Sequence, residues 1–247
     1  YGTAAHAAKH PELGRSALDA AELMNVGVNY LREHVADDVR MHYTYTNTDG
    51  PANIVPDYAS TNYFIRSGRR DRTEDASRRV DDCARGAALM TGTRVEIELV
   101  TSNREMKVNR ALAELFYEAM EQIPLPEHTE EELEFARNIS EAAGLKNDGV
   151  YFTELEPLEE EPVLLNIGTD VSDVSHTVPT VMLSAAVMCK GTPLHHWTTT
   201  AQAGMSIGQK GMLYVAECMA LGGWMLMREP GRLEQVWRDF SDDKAGE

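Results

Sequence analysis

The sequence predicts an α/β-class protein of two unequal parts, and two observations carry that reading. Over residues 1–102 the periodicities run helix, strand, strand, helix, strand. After Ser102 longer helical patterns take over, interrupted by two short, continuously apolar segments of the kind that form buried strands of a larger α/β sheet. With 247 residues, 43% of them hydrophobic, the chain has apolar material for one large core or two modest ones.

In the first part, Ser16 is placed to cap a helix whose Ala17, Ala21, Met24, Val28 and Leu31 recur on one face. Val39–Thr46 and Tyr58–Arg66 read as strands, rich in Tyr and Thr, with a turn signal at Asp49-Gly50-Pro51 between them. A second helix over about Thr73–Met90 stops at Thr91-Gly92, and Val95–Val100 reads as a third strand. One further strand ahead of Tyr1 would complete a split β-α-β-β-α-β unit, a small ferredoxin-like sheet with helices on one face.

In the second part, Asn109 caps a helix to Gln122, and Thr129 caps another over Glu130–Ala143 that Gly144 ends. Residues 145–162 are acidic and weakly periodic, which predicts a solvent-facing loop. Val163–Ile167 and Thr180–Met188 are the two candidate buried strands. A long helix over about Met205–Met227, with Gly and Ala suited to close packing on a sheet, ends before Pro230, and disorder is expected from Ser241.

Charge and composition exclude several roles. Forty acidic residues against 23 basic give −17, which disfavours nucleic acid or an anionic membrane as partner. No apolar run reaches the roughly 18–20 residues of a membrane span, and no signal-peptide pattern opens the chain, so a cytoplasmic location is expected. The acidic excess with mostly arginine as its basic component suits a halophilic source, where salt screens self-repulsion. Cys83, Cys189 and Cys218 are isolated, which argues against a disulfide framework or a cysteine zinc site, and Cys83 and Cys218 fall in helical patterns as small buried hydrophobes.

The residues able to carry chemistry are few. His195 and His196 follow the end of a candidate buried strand, where open α/β sheets place ligands. Imidazole is a common zinc ligand, and neighbours on extended backbone point apart, so one of the pair faces a site or both are surface residues. Asp170 and Asp173 follow Gly168 and either ligate or orient, or cap a helix start. His6 lies among small residues that either permit close approach of a ligand or another subunit or simply pack a histidine in a tight loop. Asn53 offers a donor–acceptor pair, and Arg66 ends a strand with a fork for a carboxylate or a rim salt bridge. Glycine-rich phosphate loops, HExxH helices and GxSxG elbows are not present.

Several segments together resemble a known family. They are Gly2-Thr3-Ala4-Ala5-His6-Ala7-Ala8 with Pro11–Ala20, Asn53–Asp57, Ala87–Thr93, Gly168–Ser175, and Gly191-Thr192-Pro193 with His195 and Trp197. In this order they resemble the metal-dependent aminoacylases and carboxypeptidases (amidohydrolases), in the branch that hydrolyses aminobenzoyl-glutamate and indoleacetyl-amino acids. The resemblance implies a lid and dimerisation domain over residues 1–102 and the C-terminal part of a catalytic α/β domain over 103–247. It implies that His6 reaches the substrate, often in a partner's active site, that Asn53 and Arg66 hold its carboxylate, and that His195 is the late metal ligand. Asp170, Asp173 and His196 remain near the site without an assigned role.

The resemblance further implies zinc, dinuclear in the complete protein, with manganese or cobalt as alternatives, and an N-acyl or N-aroyl amino acid or short peptide as substrate. The family's early His-x-Asp motif, bridging Asp and Glu-Glu pair have no counterpart in residues 1–247. The expectation is that an upstream segment or a separate chain supplies them, that this chain alone is inactive, and that the lid forms a homodimer. A non-catalytic interaction or regulatory protein on the same scaffold is the reading left open beside it.

Overall fold

The computed structural model describes residues 1–48, 50–145, 151–165 and 167–244. The chain divides into two compact units, one formed by Tyr1–Met106 with Leu164–Asp173 and the other by Lys107–Val163 with Val174–Glu247.

In the first unit, α1 (Ala17–Leu31) starts as predicted at Ser16, whose Oγ accepts the Asp19 N–H at 3.0 Å. Strands β1 (Arg40–Asn47) and β2 (Ser60–Arg66) form an antiparallel hairpin in which Met41 faces Ile65 and Tyr43 faces Tyr63. Helix α2 (Arg70–Thr91) is stopped by Gly92, whose φ of 66° lets its N–H turn back to the carbonyls of Ala88 and Leu89. Val28 and Leu31 of α1, Met41 of β1, and Ala76 and Val80 of α2 share one core with Val39, so both helices cover the same face of the hairpin. The predicted Cys83 is half-buried against this core, not fully buried, and burial raises its thiol pKa.

Asp38 ties the hairpin to α2. Ser67 Oγ, Arg72 and the Gly68 N–H donate to its carboxylate at 2.5, 2.6 and 3.1 Å. Led by the Ser67 bond, these donors outweigh burial and hold the carboxyl at about 2.

The third predicted strand does not form. Val95–Val100 forms neither helix nor strand and has no ladder partner among the described residues, and Leu99 and Val100 are exposed. The observed sheet is therefore two-stranded, and the first unit is a mixed α/β arrangement without the four-stranded ferredoxin-like sheet among the described residues. Asp49 of the predicted turn lies outside them.

The second unit is helical. Helix α3 (Arg110–Gln122), capped by Asn109 as predicted, packs with α7 (Ser206–Arg228) and α8 (Pro230–Lys244). Leu115, Ala119 and Met225 form the centre of this group. A Cβ on Gly222 of α7 would lie 2.4 Å from the Phe116 ring, so glycine lets α7 approach α3 closely. Residues from Ser241 to Lys244 continue α8, which corrects the expected disorder; 245–247 lie outside the described residues. Lys107 Nζ donates to the Phe240 carbonyl and Asn109 Nδ2 to that of Val236, at 3.2 and 2.9 Å, which holds α8 in place.

A second core joins Ala136 and Ile139 of α4 (Glu130–Ala142) to Tyr151, Cys189 and Ile207. Helix α4 carries a complete capping box between Thr129 and Glu132. Glu132, 8% exposed, also accepts from Ser206 Oγ at 2.5 Å and Lys210 Nζ at 2.7 Å, which fastens α4 to the start of α7. Burial would raise this carboxyl, but the bonds from Lys210, Ser206 and the Thr129 N–H outweigh it and hold it at about 2.

Neither candidate buried strand is one. Val163, Leu164, Leu165 and Ile167 are exposed and Asn166 lies outside the described residues, while 180–188 is irregular and partly exposed. No strand of a larger sheet stands beside them among the described residues, and an apolar run becomes a strand only when a neighbour completes its hydrogen bonds. Of the acidic segment 145–162, residues 146–150 lie outside the described residues; 151–162 forms neither helix nor strand, yet Tyr151 is buried.

Candidate functional site

The segment carrying His6 is laced on both sides. Thr3 and Arg15 exchange N–H···O bonds at 2.8 and 2.9 Å, while Ala7 N–H donates to the Asn53 carbonyl and Val55 N–H to that of Ala5, both at 2.9 Å. His6 bridges Ile54 in this arrangement, so the fold brings His6 and Asn53 together through their backbones. The approach is close enough to demand glycine at position 2, where a Cβ would lie 1.9 Å from the Arg15 carbonyl oxygen.

The His6 ring is exposed and oriented. Its Nδ1 accepts the backbone N–H groups of Ala8 and Lys9 at 3.3 and 3.2 Å. A nitrogen that accepts carries no proton, so the neutral ring bears its hydrogen on Nε2, which leaves that N–H as an outward donor.

Arg66 is positioned by another element. It ends β2 on the face opposite the helices, exposed, with its guanidinium 5.3 Å from the centre of the Phe64 ring. Its cross-strand partner is Arg40, so two cations stand opposite each other at the end of the hairpin. Arg40 turns its Nη1 to the carbonyls of Asp37 and Val39.

His195 and His196 lie in a loop braced from beneath by Gln202 of α6 (Trp197–Ala203). The fully buried Gln202 side chain accepts the Cys189 N–H at 2.9 Å and donates to Thr192 Oγ1 and the Thr198 carbonyl at 3.0 and 3.1 Å. The expectation of extended backbone through the pair is corrected at His195, whose φ is 58°. A side chain in this left-handed region costs roughly 1 kcal/mol, and the His195 ring is exposed. His196 is extended and caps α6: its Nδ1 lies 2.8 Å from Thr198 Oγ1 and accepts the Thr198 N–H. Sequence reasoning missed Gln202, because a lone polar residue in a helical pattern gives no sign that its side chain points inward.

Asp170 and Asp173 flank the start of the short helix α5 (Val171–Ser175). The side chain that accepts from the Val171 N–H is that of Thr169, at 3.2 Å, so the capping reading of the aspartates is corrected. Asp170 is exposed, and Asp173 accepts from the backbone N–H and Nε of Arg104 at 3.3 and 3.2 Å. Among the described residues no group of three or more His, Cys, Asp or Glu is placed to hold a metal ion.

No family model matches the chain. It is 36% identical over 263 aligned positions, 96% of this chain and 55% of the relative, to a subunit of the p-aminobenzoyl-glutamate hydrolase of Escherichia coli (strain K12). It is 37% identical over 98 residues to the Xaa-Arg dipeptidase of Mus musculus, across 40% of this chain and 23% of that protein. Over 103 residues it is 35% identical to the indole-3-acetyl-aspartic acid hydrolase of Enterobacter agglomerans, across 40% of this chain and 23% of that protein. The chain thus spans about half the length of the E. coli relative. With that identity sustained along nearly its whole length, the chain belongs to the amidohydrolase family of metal-dependent aminoacylases and carboxypeptidases.

Proposed function

We propose that this protein is part of a metal-dependent amidohydrolase cleaving the amide bond of N-acyl or N-aroyl amino acids, such as aminobenzoyl-glutamate, or short peptides. The observation that carries the reading is the 36% identity over 96% of the chain to the E. coli p-aminobenzoyl-glutamate hydrolase polypeptide. The names of the three relatives share one chemistry, an amide that joins an acyl group to an amino acid.

Each candidate residue has a role consistent with that chemistry. The outward Nε2–H of His6 is a donor suited to the oxyanion that develops when the amide carbonyl is attacked. Arg66, beside an Arg40 whose Nη1 turns to carbonyls, keeps its fork for the substrate carboxylate, and Asn53 adds a second polar contact. His195 is preferred over His196 as the metal ligand, because His196 spends Nδ1 on Thr198 while the His195 ring is exposed. Asp170, Asp173 and His196 are left with orienting roles at most.

In the complete protein the metal would be zinc, with manganese or cobalt as alternatives, and would supply Lewis-acid activation of a water, with His195 among the residues that would hold it. A zinc site draws on three or four protein ligands, and His195 is one, so the described residues do not by themselves fit the metal. Residues 1–102 serve as lid and homodimer contact in this reading, and the location is cytoplasmic. No described helix is long and apolar enough to cross a membrane.

The test is a substrate panel offered to the chain joined to the part of the E. coli relative that it does not span. N-acyl amino acids are hydrolysed with added divalent metal, while matched α-carboxamides are poor substrates, and Arg66→Ala raises KM more than it lowers kcat. Absence of hydrolysis, or equal turnover of acids and carboxamides, overturns the proposal or its carboxylate-binding part respectively.

A further inference from the structure

Arg40 and Arg66 face each other across the hairpin, both exposed on the side opposite the core that Met41 and Ile65 join. Directly opposed residues hold their Cβ atoms about 4.5–5.5 Å apart, where two like charges destabilise the pair. No carboxylate of the chain relieves this one. Arg40 takes the backbone oxygen of Asp37, not its carboxylate, and among the described residues its Nε and Nη2 make no hydrogen bond. The Arg66 guanidinium has neither hydrogen bond nor ion pair there; it lies 5.3 Å from the centre of the exposed Phe64 ring. Asp38, two residues before Arg40, is committed to Ser67, Gly68 and Arg72. By contrast Arg69, Arg70 and Arg72, next along the chain, lie 2.6–2.7 Å from carboxylates of Asp71, Glu74 and Asp38. With 40 acidic residues against 23 basic ones, carboxylates are plentiful, so an opposed arginine pair left without one marks a place for an anion from outside.

We propose that the pair reads a dicarboxylic amino acid, Arg66 taking its α-carboxylate and Arg40 its side-chain carboxylate. This rests on the function proposed above and narrows its substrate class to N-acyl derivatives of acidic amino acids, with Arg40 as the residue that selects them. Three features support it. The carboxyl carbons of glutamate are four bonds apart, roughly 5 Å when extended, which matches the separation of the opposed positions. Nε and Nη2, which Arg40 keeps, form one edge of the guanidinium and suit bidentate contact with a carboxylate, while Nη1 anchors the group to the backbone. A dianion neutralises both cations, whereas a neutral side chain such as that of glutamine leaves Arg40 unpaired beside Arg66.

The test compares p-aminobenzoyl-glutamate with p-aminobenzoyl-glutamine on the chain joined to the part of the E. coli relative that it does not span. The glutamate compound is favoured in kcat/KM by about thirtyfold, the scale of a charge-assisted bidentate contact. Arg40→Gln shrinks that ratio below about threefold, and Arg40→Lys, which keeps the charge, retains most of it. Equal turnover of the two compounds, or a ratio that Arg40→Gln leaves intact, overturns the proposal. The 247-residue chain alone gives a second reading by NMR of its arginine Nε–H groups. N-acetylglutamate shifts those of both Arg40 and Arg66, and N-acetylglutamine shifts that of Arg66 only. An Arg40 signal that responds to neither, or equally to both, also overturns the proposal. The expected shifts without amide hydrolysis in the joined protein would count against the proposed function and leave the dicarboxylate site intact.

Discussion

Replacing Glu132 by Gln tests the polar junction that fastens α4 to α7. Glutamine keeps the length and, with its oxygen toward the Thr129 N–H and Lys210, the capping box, while its NH2 faces Ser206 Oγ, so the substitution removes the charge and one acceptor. The fall of the carboxyl from its ordinary 4.5 to about 2 sets a ceiling of about 3 kcal/mol on its contribution at neutral pH. Lys210, with its side chain 32% exposed, recovers part of its hydration when the carboxylate is removed, which lowers the expected loss to about 2 kcal/mol. For a chain of this size that is a fall of roughly 4–8 °C in Tm. Because the folded-state pKa is depressed, the contribution is fully present above about 4.5 and is lost as pH falls toward about 2. Thermal and urea unfolding followed by circular dichroism at stepped pH reads both effects. A Glu132→Gln protein within about 0.5 kcal/mol of the native chain at pH 7, or a difference that persists unchanged as pH falls below 4.5, refutes the reasoning.

Gly2→Ala forces a side chain into the Arg15 carbonyl and should cost about 1–3 kcal/mol locally, seen as faster amide exchange at Thr3 and Arg15; native protection factors would contradict the close approach. Gln202→Leu strands the Cys189 N–H beneath the His195 loop and should destabilise by about 2 kcal/mol with new proteolytic cleavage in 189–198, whereas an unchanged midpoint and digestion pattern would deny the brace. With a net charge of −17, thermal stability should rise from low to molar KCl as self-repulsion is screened; a flat profile removes the halophilic reading.

The helix starts were legible because their signals are local. Ser16, Asn109 and Thr129 each place a side-chain oxygen within reach of an N–H three residues on, and the chain needs no distant partner to use it. Gly92 was legible for the same reason. Val95–Val100, Val163–Ile167 and Thr180–Met188 were not, because an apolar run does not state which strand, if any, will complete its ladder. Helix α8 was overlooked although Pro230 at its first position and the spacing of Leu233, Val236, Trp237 and Phe240 announce it. At the site, the small residues around His6 pointed to close backbone approach, but the donors to its Nδ1 depend on the turn through Ala8 and Lys9 and appear only in three dimensions.

The most direct test of the account is the metal dependence of amide hydrolysis by the chain assembled with the unmatched part of the E. coli relative. The account predicts release of p-aminobenzoate from p-aminobenzoyl-glutamate when zinc is added and none after chelation. It also predicts a loss on the order of a hundredfold in His195→Ala and a much smaller one in His196→Ala. Hydrolysis that survives chelation, or a His195→Ala protein as active as the native one, would contradict it.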